Sequence, residues 1–401
     1  MKIGLFTDTY APDVNGVVTV IQLMERELRR AGHDVCVFAP TYPGHTDADG
    51  TVYRFPSVRL VLYRGMRFAL PVGGRKVFRL IAGLDIVHSH DPFSVGQVAF
   101  WAAWRHGIPH LHTYHALYTE LRRYIPPPFR PPRQAVEQIS RAFCNLCDGV
   151  IAPSRAVETE LRSYGVRVPI YSLPFGVDEE EFAHSPGWNA RRELGLPPGE
   201  LLLFVGRLGW EKNIEFLLRS FQRVHAQRPE SHLVIVGEGP QRCRLESYTG
   251  DLGIMDAVTF TGPISRGRLI DLYRQATLFV FSSKMETQGL VLVEAMMAGL
   301  PVVAVGAMGP LDIVTPGETG LLVGENEEEF ASACHALLVD ETRRRRLSEA
   351  ARHWATARSA RVSTAQLLHI YEEAKARQIS RRTRSRGRGL RGDWLRGGDR
   401  R

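Results

Sequence analysis

Residues Thr277 to Val303 read TLFVFSSKMETQGLVLVEAMMAGLPVV. Thr277 to Phe281 is a short apolar run without alternation, the pattern of a buried strand. A polar loop carrying Glu286 follows. Leu290 to Ala298 is too long and too rich in Met and Ala for a second strand. It suits a helix, and Gly299 stands where such a helix ends. Pro301 to Val305 then returns as a strand. This strand–loop–helix–strand unit is the building block of an α/β domain.

The helix is apolar almost all round, so it is expected to be buried. Glu294 sits in its middle, and a buried carboxylate needs a partner because desolvating it alone is costly. Glu286 precedes it by eight positions, in the loop at the carboxyl end of a strand. Ligands of open α/β sheets bind at such ends. The helix start near Gly289 and Leu290 offers free N–H groups and a positive dipole end, which favour phosphate. One reading is therefore a nucleotide-linked ligand whose diphosphate sits on the helix start and whose hydroxyls meet two carboxylates. The other makes Glu286 a solvated loop charge and Glu294 half of a structural ion pair. Spacing alone leaves both open.

The run from Glu286 through Glu294 to Ala-Met-Met-Ala-Gly-Leu-Pro-Val resembles the signature of the retaining nucleotide-sugar glycosyltransferases of the GT-B type, glycosyl transferase family 4. The likeness extends from residue 1 to about residue 375. It implies that Glu286 contacts the donor sugar and Glu294 the nucleotide ribose.

The chain has 401 residues and a net charge of +8. Residues 377–401 hold ten Arg against Asp393 and Asp399, which is +8, so the rest of the chain sums to zero. The excess positive charge describes a tail and not a nucleic-acid-binding body, and no nucleic acid is expected as a partner. The five cysteines are odd in number and scattered, as in a reducing cytoplasm. Cys144 and Cys147 form a C-x-x-C inside an expected helix without a second pair, which favours core packing over a metal site. Met1 leads directly into an expected strand, so no signal peptide is expected. No apolar run reaches the roughly 18 residues of a membrane span.

In the amino-terminal half, Lys2 to Phe6 is an expected strand, and Gly16 opens an amphipathic helix to about Ala31. No G-x-G-x-x-G follows the strand, which argues against a nicotinamide dehydrogenase. Gly16 is either a turn glycine or a point of close backbone approach to a ligand. The resemblance favours the second, although many relatives carry two glycines where this chain has Asn15-Gly16. Leu84 to Val87 and Ile108 to His112 are expected strands leading into HSHDPFS and HTYHALY. His88, His90, His112 and His115 fall at or past their ends. Polar packing accounts for four such residues better than a metal, since no carboxylate or Cys spacing accompanies them. The two segments resemble bacterial diacylglycerol glucosyltransferases, which implies that His115 meets the donor sugar. Tyr118 to Arg133 interleaves aromatic, Arg and Pro residues, and its five prolines exclude a regular helix. It is either a stiff surface loop or a basic–aromatic lip for lipid head groups, with Tyr118, Arg122 and Arg123 on the acceptor side.

In the carboxyl-terminal half, Leu201 to Val205 is a buried strand that ends in Gly206-Arg207 and LGWEKN before a helix. Arg207 and Lys212 thus leave a strand's carboxyl end, where two cations suit a diphosphate leaving group. An isolated Glu-Lys pair would read as a solvated turn. The resemblance assigns both cations to the diphosphate, so no metal and no further cofactor is expected.

The expected fold is α/β, GT-B, with two Rossmann-like domains facing a central cleft. Residues 1–175 would bind acceptor and 176–358 the nucleotide sugar. Residues 359–376 would be a crossover helix and 377–401 an Arg-rich disordered tail. The expected activity is retaining transfer of a hexose, glucose from UDP-glucose, to a lipid acceptor, 1,2-diacylglycerol. Transfer to phosphatidylinositol or a soluble sugar is the alternative, with a sugar-nucleotide epimerase behind it. Catalytic roles fall to Glu286, His115, Arg207 and Lys212. The expected location is cytoplasmic and peripheral on an anionic membrane surface.

Overall fold

The computed structural model describes residues 1–47, 50–59, 67–72, 74–184 and 186–393, with backbone alone for Lys76 and residues 381–393. The chain divides into two compact units. Residues 1–152, 158–173 and 364–401 form the first, and residues 153–157 and 174–363 the second.

The first unit is built on a seven-stranded sheet in the order Val52–Phe55, Asp34–Pro40, Lys2–Phe6, Ile86–Ser89, His110–Thr113, Gly149–Ala152, Ile170–Ser172. All six pairings are parallel. The strands carry near-continuous buried runs, as parallel strands covered on both faces must. The order reverses between Lys2–Phe6 and Ile86–Ser89, which makes the carboxyl ends of these two strands the switch point where ligands bind. Asn15 caps the helix Gly16–Arg30 by accepting from the Val18 N–H at 3.0 Å.

The second unit repeats the plan with six parallel strands in the order Val258–Gly262, His232–Val236, Leu201–Val205, Leu278–Phe281, Val302–Val305, Gly320–Val323. Its switch point lies between Leu201–Val205 and Leu278–Phe281. Arg207 and Lys212 leave the first of these strands, and Glu286 leaves the second. Topology alone therefore collects the expected donor residues of this half at one sheet end.

Two expectations meet a different register. The strand read as Leu84 to Val87 is Ile86–Ser89, and the one read as Ile108 to His112 is His110–Thr113. Asp85 is held at the strand's start by accepting from the Lys2 N–H at 2.7 Å. The polar His88 and Ser89 lie inside the strand because the interior supplies their hydrogen bonds. The segment after Tyr118 also makes more helical turns than expected. A one-turn helix Tyr118–Leu121 runs into 3-10 turns Arg122–Tyr124 and Pro127–Phe129.

The helix expected near Ala360 to Arg377 is one element, Ala360–Asp393, so the backbone of the Arg-rich segment continues it to Asp393. Trp394 and Leu395 lie outside the described residues. At the turn before this helix the Ala360 N–H donates to the Val177 carbonyl at 2.9 Å. Gly176 allows a close backbone approach here, because a Cβ there would meet the Arg358 carbonyl oxygen at 2.1 Å. Among the described residues no helix is long and apolar enough to cross a membrane.

Candidate active site

In the second unit the expected helix forms as Leu290–Met297, and Gly299 follows with φ of 78°. Gly289 precedes it with φ of 88°, a left-handed conformation that favours glycine. That turn points the Gly289 N–H at Glu286 Oε1, 3.2 Å away. The other carboxylate oxygen of Glu286 forms an ion pair with Lys212. Two residues assigned separate tasks from sequence thus touch each other. The loop is pinned from behind, since the Gly309 N–H donates to the Glu286 carbonyl at 2.9 Å. A Cβ at Gly309 would meet the Gln288 carbonyl oxygen at 2.6 Å.

Lys212 is placed by the turn Trp210–Lys212, which Ser282 and Ser283 tie to the neighbouring strand end. Their hydroxyls donate to the carbonyls of Lys212 at 2.7 Å and Glu211 at 3.0 Å. The ammonium also lies 5.5 Å from the centre of the Phe281 ring. Asn213 closes the turn with φ of 53°. Arg207 is exposed at the same strand end. The N–H groups of Leu290 and Val291 precede the first bonds of the helix, in which the Leu292 and Val293 N–H groups donate to the Gly289 carbonyl at 2.9 and 3.4 Å. One sheet end thus presents two cations, a carboxylate and free N–H groups, a set that suits an anionic ligand with hydroxyls.

Glu294 is 3% exposed and has the partner its burial demands. Arg266 pairs with its Oε1, and the Tyr273 hydroxyl donates to Oε2 at 2.9 Å. Arg266 in turn meets Glu181 at 3.0 Å. The ion-pair reading of Glu294 therefore holds for its charge. Its carboxylate oxygens keep further lone pairs beyond these two partners. Sequence reasoning missed Arg266 and Tyr273, although seven residues on one helix put both on one face.

The first unit's switch point is lined by histidines and carboxylates. His88 Nδ1 lies 2.7 Å from the Tyr371 hydroxyl, and its Nε2 lies 2.7 Å from Thr113 Oγ1. Ser89 Oγ meets His110 Nε2 at 2.8 Å and His112 Nδ1 at 3.0 Å. His90 Nδ1 lies 2.8 Å from His115 Nε2. Burial pushes the His110 and His115 rings down to about 3, and burial with neighbouring histidines holds His88, His90 and His112 well below the usual range. These rings are neutral polar packing: hydroxyls meet both nitrogens of His88, while His110 Nδ1 and His112 Nε2 are buried without a hydrogen-bond partner.

Asp8 and Asp91 were not singled out from sequence, yet both are buried at the same strand ends. Asp91 Oδ2 accepts from the Asp8 N–H at 3.0 Å and from Thr7 Oγ1 at 3.1 Å. Burial and the neighbouring Asp8 push the Asp91 carboxyl up to about 7. Gly16 is exposed, and a Cβ there would meet open space, so packing does not require a glycine at this helix start.

Tyr118 packs edge-on against Tyr114 at 5.0 Å and Phe93 at 5.3 Å. Arg122 donates to the Thr119 carbonyl at 2.9 Å, and Arg123 pairs with Glu120 at 3.0 Å on the surface. Cys144 and Cys147 are buried, and the Cys147 thiol donates to the Phe143 carbonyl at 3.5 Å. Burial pushes the Cys144 thiol up to about 12, so it is an inert core group.

Two family models match this chain: Glycosyltransferase Family 4 over residues 14–181 and Glycosyl transferases group 1 over residues 188–354. The alpha-monoglucosyldiacylglycerol synthase of Streptococcus pneumoniae is 35% identical over 315 residues, covering 76% of this chain and 71% of that protein. The chain belongs to the glycosyltransferases. A second relative of this glycosyltransferase is the GDP-mannose-dependent alpha-mannosyltransferase of Mycobacterium tuberculosis, 33% identical over 95% of this chain and 98% of that protein. Among solved structures, sucrose-phosphate synthase from Thermosynechococcus elongatus matches with a TM-score of 0.75 at 25% identity, covering 94% and 99% of the two chains. The two parallel-sheet units are thus those of a GT-B, nucleotide-sugar-dependent hexosyltransferase.

The Arg266–Glu294 pair carries a stability prediction for this glycosyltransferase. Arg266→Leu leaves a buried carboxylate without its cation. The usual cost of about 3–5 kcal/mol falls here to about 2–3, because the Arg266 side chain is 35% exposed. Calorimetry should show Tm lower by about 4–10 °C. Glu294→Gln should lower it less, since a neutral amide can still accept from Tyr273. Equal Tm values for Arg266→Leu and the parent would refute the account.

Proposed function

We propose that the enzyme moves a glucosyl group from UDP-glucose to a hydroxyl of 1,2-diacylglycerol at a membrane surface, with retention at the anomeric carbon. The observation that supports a lipid acceptor is a group of packed elements in the first unit drawn from two acid-free segments. No Asp or Glu occurs in residues 51–84 or 92–119. The paired strands Ser57–Arg59 and Arg67–Ala69 and the helices Arg75–Ala82 and Ser94–His106 come from these segments. They share a core through Ala69, Ile81, Val95, Val98 and Ala99. Outward they expose Val58, Phe68, Phe78, Trp101 and Trp104, together with Arg59, Arg75, Arg79 and Arg105. Apolar side chains among cations, without carboxylates, suit the boundary of an anionic bilayer. The Arg-rich end of the chain would add to this attraction. The sequence left residues 118–133 as either a stiff surface loop or a lipid-facing lip, and there Phe129 is exposed and Tyr118 is packed.

In this reading Lys212 and Arg207 hold the diphosphate, with the N–H groups of Leu290 and its neighbours. A diphosphate competes with Glu286 for the Lys212 ammonium and frees the carboxylate to accept from a sugar hydroxyl. As the glycosidic bond breaks, negative charge grows on the diphosphate, and the fixed cations stabilise it most at that stage. Glu294 would hold the ribose and His115, kept neutral, a sugar hydroxyl. Gly16 would be a further donor contact, as the resemblance implies. The acceptor hydroxyl then attacks from the side on which the diphosphate departs and gives its proton to the departing phosphate oxygen.

The test is transfer of labelled hexose from UDP-glucose and GDP-mannose to diacylglycerol vesicles, phosphatidylinositol vesicles and soluble sugars. Glucosyl-diacylglycerol is the expected product. The mannosyltransferase relative, which matches nearly the whole chain, favours a second reading in which GDP-mannose is the donor. Mannosylated product alone would establish it, and interconversion of the donor sugar without transfer would point to an epimerase. Because cations of the chain do the work of a divalent ion, turnover should survive EDTA. Activity lost in EDTA and restored by manganese would overturn that assignment.

A further inference from the structure

Asp91 follows the strand Ile86–Ser89, which pairs with Lys2–Phe6, and its two oxygens meet different surroundings. Oδ2 faces the fold, where it accepts from the Asp8 N–H at 3.0 Å and lies 3.1 Å from Thr7 Oγ1. Asp8 itself is committed to the helix Ser94–His106, since its carboxylate accepts from the Val95 N–H at 2.9 Å and from the Ser94 hydroxyl. The backbone is fixed as well. A Cβ at Gly96 would meet the Asp91 carbonyl oxygen at 1.9 Å, so the first turn of this helix lies directly against Asp91. Asp91 Oδ1 makes no hydrogen bond among the described residues and is not sealed from the surface. Nearby, the Tyr118 ring packs edge-on against Phe93, two residues past Asp91, with centroids 5.3 Å apart. Its hydroxyl is buried and has no hydrogen-bond partner among the described residues. Burial first, and then the charge of Asp91, push that phenol well above its usual range, so it stays a donor.

A fixed acceptor and a fixed donor thus stand in each other's electrostatic reach, both unused, and buried polar groups are seldom left so. A phosphate asks for donors alone, and a metal ion or an ammonium for acceptors alone. A hydroxyl satisfies one of each. The diphosphate of the donor has its cations in the other unit, at Arg207 and Lys212. We propose that Asp91 and Tyr118 form a binding subsite for a hydroxyl of the acceptor, which donates to Asp91 Oδ1 and accepts from the Tyr118 hydroxyl. The subsite stands at the start of the helix that bears Trp101 and Trp104. Trp101 follows Ser94 by seven residues, about 10 Å of helix rise. The hydroxyl end of a lipid is therefore held a short way from the exposed rings read as the bilayer contact. This inference deepens the reading of the first unit as the acceptor side and rests on it.

The experiment measures kcat and KM of the full chain for dioctanoylglycerol in detergent micelles, with donor Kd and Tm beside them. In Asp91→Asn the Asp8 N–H keeps the amide oxygen on the inside, which turns the Nδ2 donor outward and removes the acceptor. Tyr118→Phe removes one oxygen and keeps the ring packing. Each should raise acceptor KM by about tenfold, the scale of one buried hydrogen bond, with donor Kd within about twofold of the parent. The double variant should raise KM by less than the product of the two, because both residues hold the same hydroxyl. Tyr118→Phe should keep the parental Tm. Parental acceptor KM in both single variants overturns the proposal. So does an equal rise in donor Kd, which would put the pair at the donor sugar. A lower Tm for Tyr118→Phe at parental KM leaves only an ordered water there and overturns it too. A parent that glycosylates phosphatidylinositol or a soluble sugar instead overturns the diacylglycerol reading alone, and KM for that acceptor then carries the same test. A parent that transfers to none of the three overturns both.

Discussion

Glu286→Ala lowers turnover by about a hundredfold or more while the folded chain persists. That is the scale of losing one preorganised contact made in the transition state. The side chain holds the Lys212 ammonium and accepts from the Gly289 N–H, so its removal loosens both the cation and the helix start. Lys212→Met should also be slow, because the departing diphosphate loses a fixed charge. The double variant should be less damaged than the product of the two single effects, since residues in contact act as a unit. The check is kcat and donor Kd for the three variants. Parental kcat in Glu286→Ala, or strictly multiplicative effects, would break the link between the pair and the chemistry. Glu294→Gln should differ in kind, with weakened donor binding as its main defect.

Arg75→Gln with Arg79→Gln weakens binding to anionic vesicles by about thirtyfold. Each cation near such a surface contributes about 1 kcal/mol, and about 1.4 kcal/mol is a factor of ten. Both side chains are exposed on the helix Arg75–Ala82, beside Phe78 and the helix that bears Trp101 and Trp104. Vesicle sedimentation at low salt measures the effect, and high salt should release the parent as well. Deletion after Gln378 is the parallel arm. It should weaken vesicle binding and leave donor affinity intact, because Lys212 and Glu286 belong to the other unit. If the double Arg variant binds vesicles like the parent, the face is not the lipid contact. If the parent ignores vesicles altogether, a soluble acceptor takes the place of the lipid.

The architecture was legible because its signals are local. Leu201 to Val205 and Thr277 to Phe281 are unbroken apolar runs, and the residues that follow them are polar and Gly-bearing. Such runs can only be buried strands, and what leaves their carboxyl ends reaches the ligand side of the sheet. The placement of Arg207, Lys212, Glu286 and Glu294 at or near one sheet end followed from that pattern. Even the need of Glu294 for a partner followed, from the cost of desolvating a charge.

Which partner it takes did not follow. Arg266 lies 28 positions away, and Lys212 lies 74 from Glu286. The linear chain offers 51 Lys and Arg residues, and only packing selects among them. The histidines show the same limit more sharply. Their residue types suggested strand ends, yet His88 and Ser89 lie within a strand, because Thr113 and Tyr371 supply their neighbourhood with hydroxyls from distant segments. The acid-free segments were visible in the letters, but their meaning required a paired hairpin and two helices to turn their cations and aromatic rings outward together. Local propensity and apolar patterning act over a few residues and determine elements. Desolvation, hydrogen bonding and charge pairing act through space, so only the tertiary structure decides which of those elements' side chains form a site.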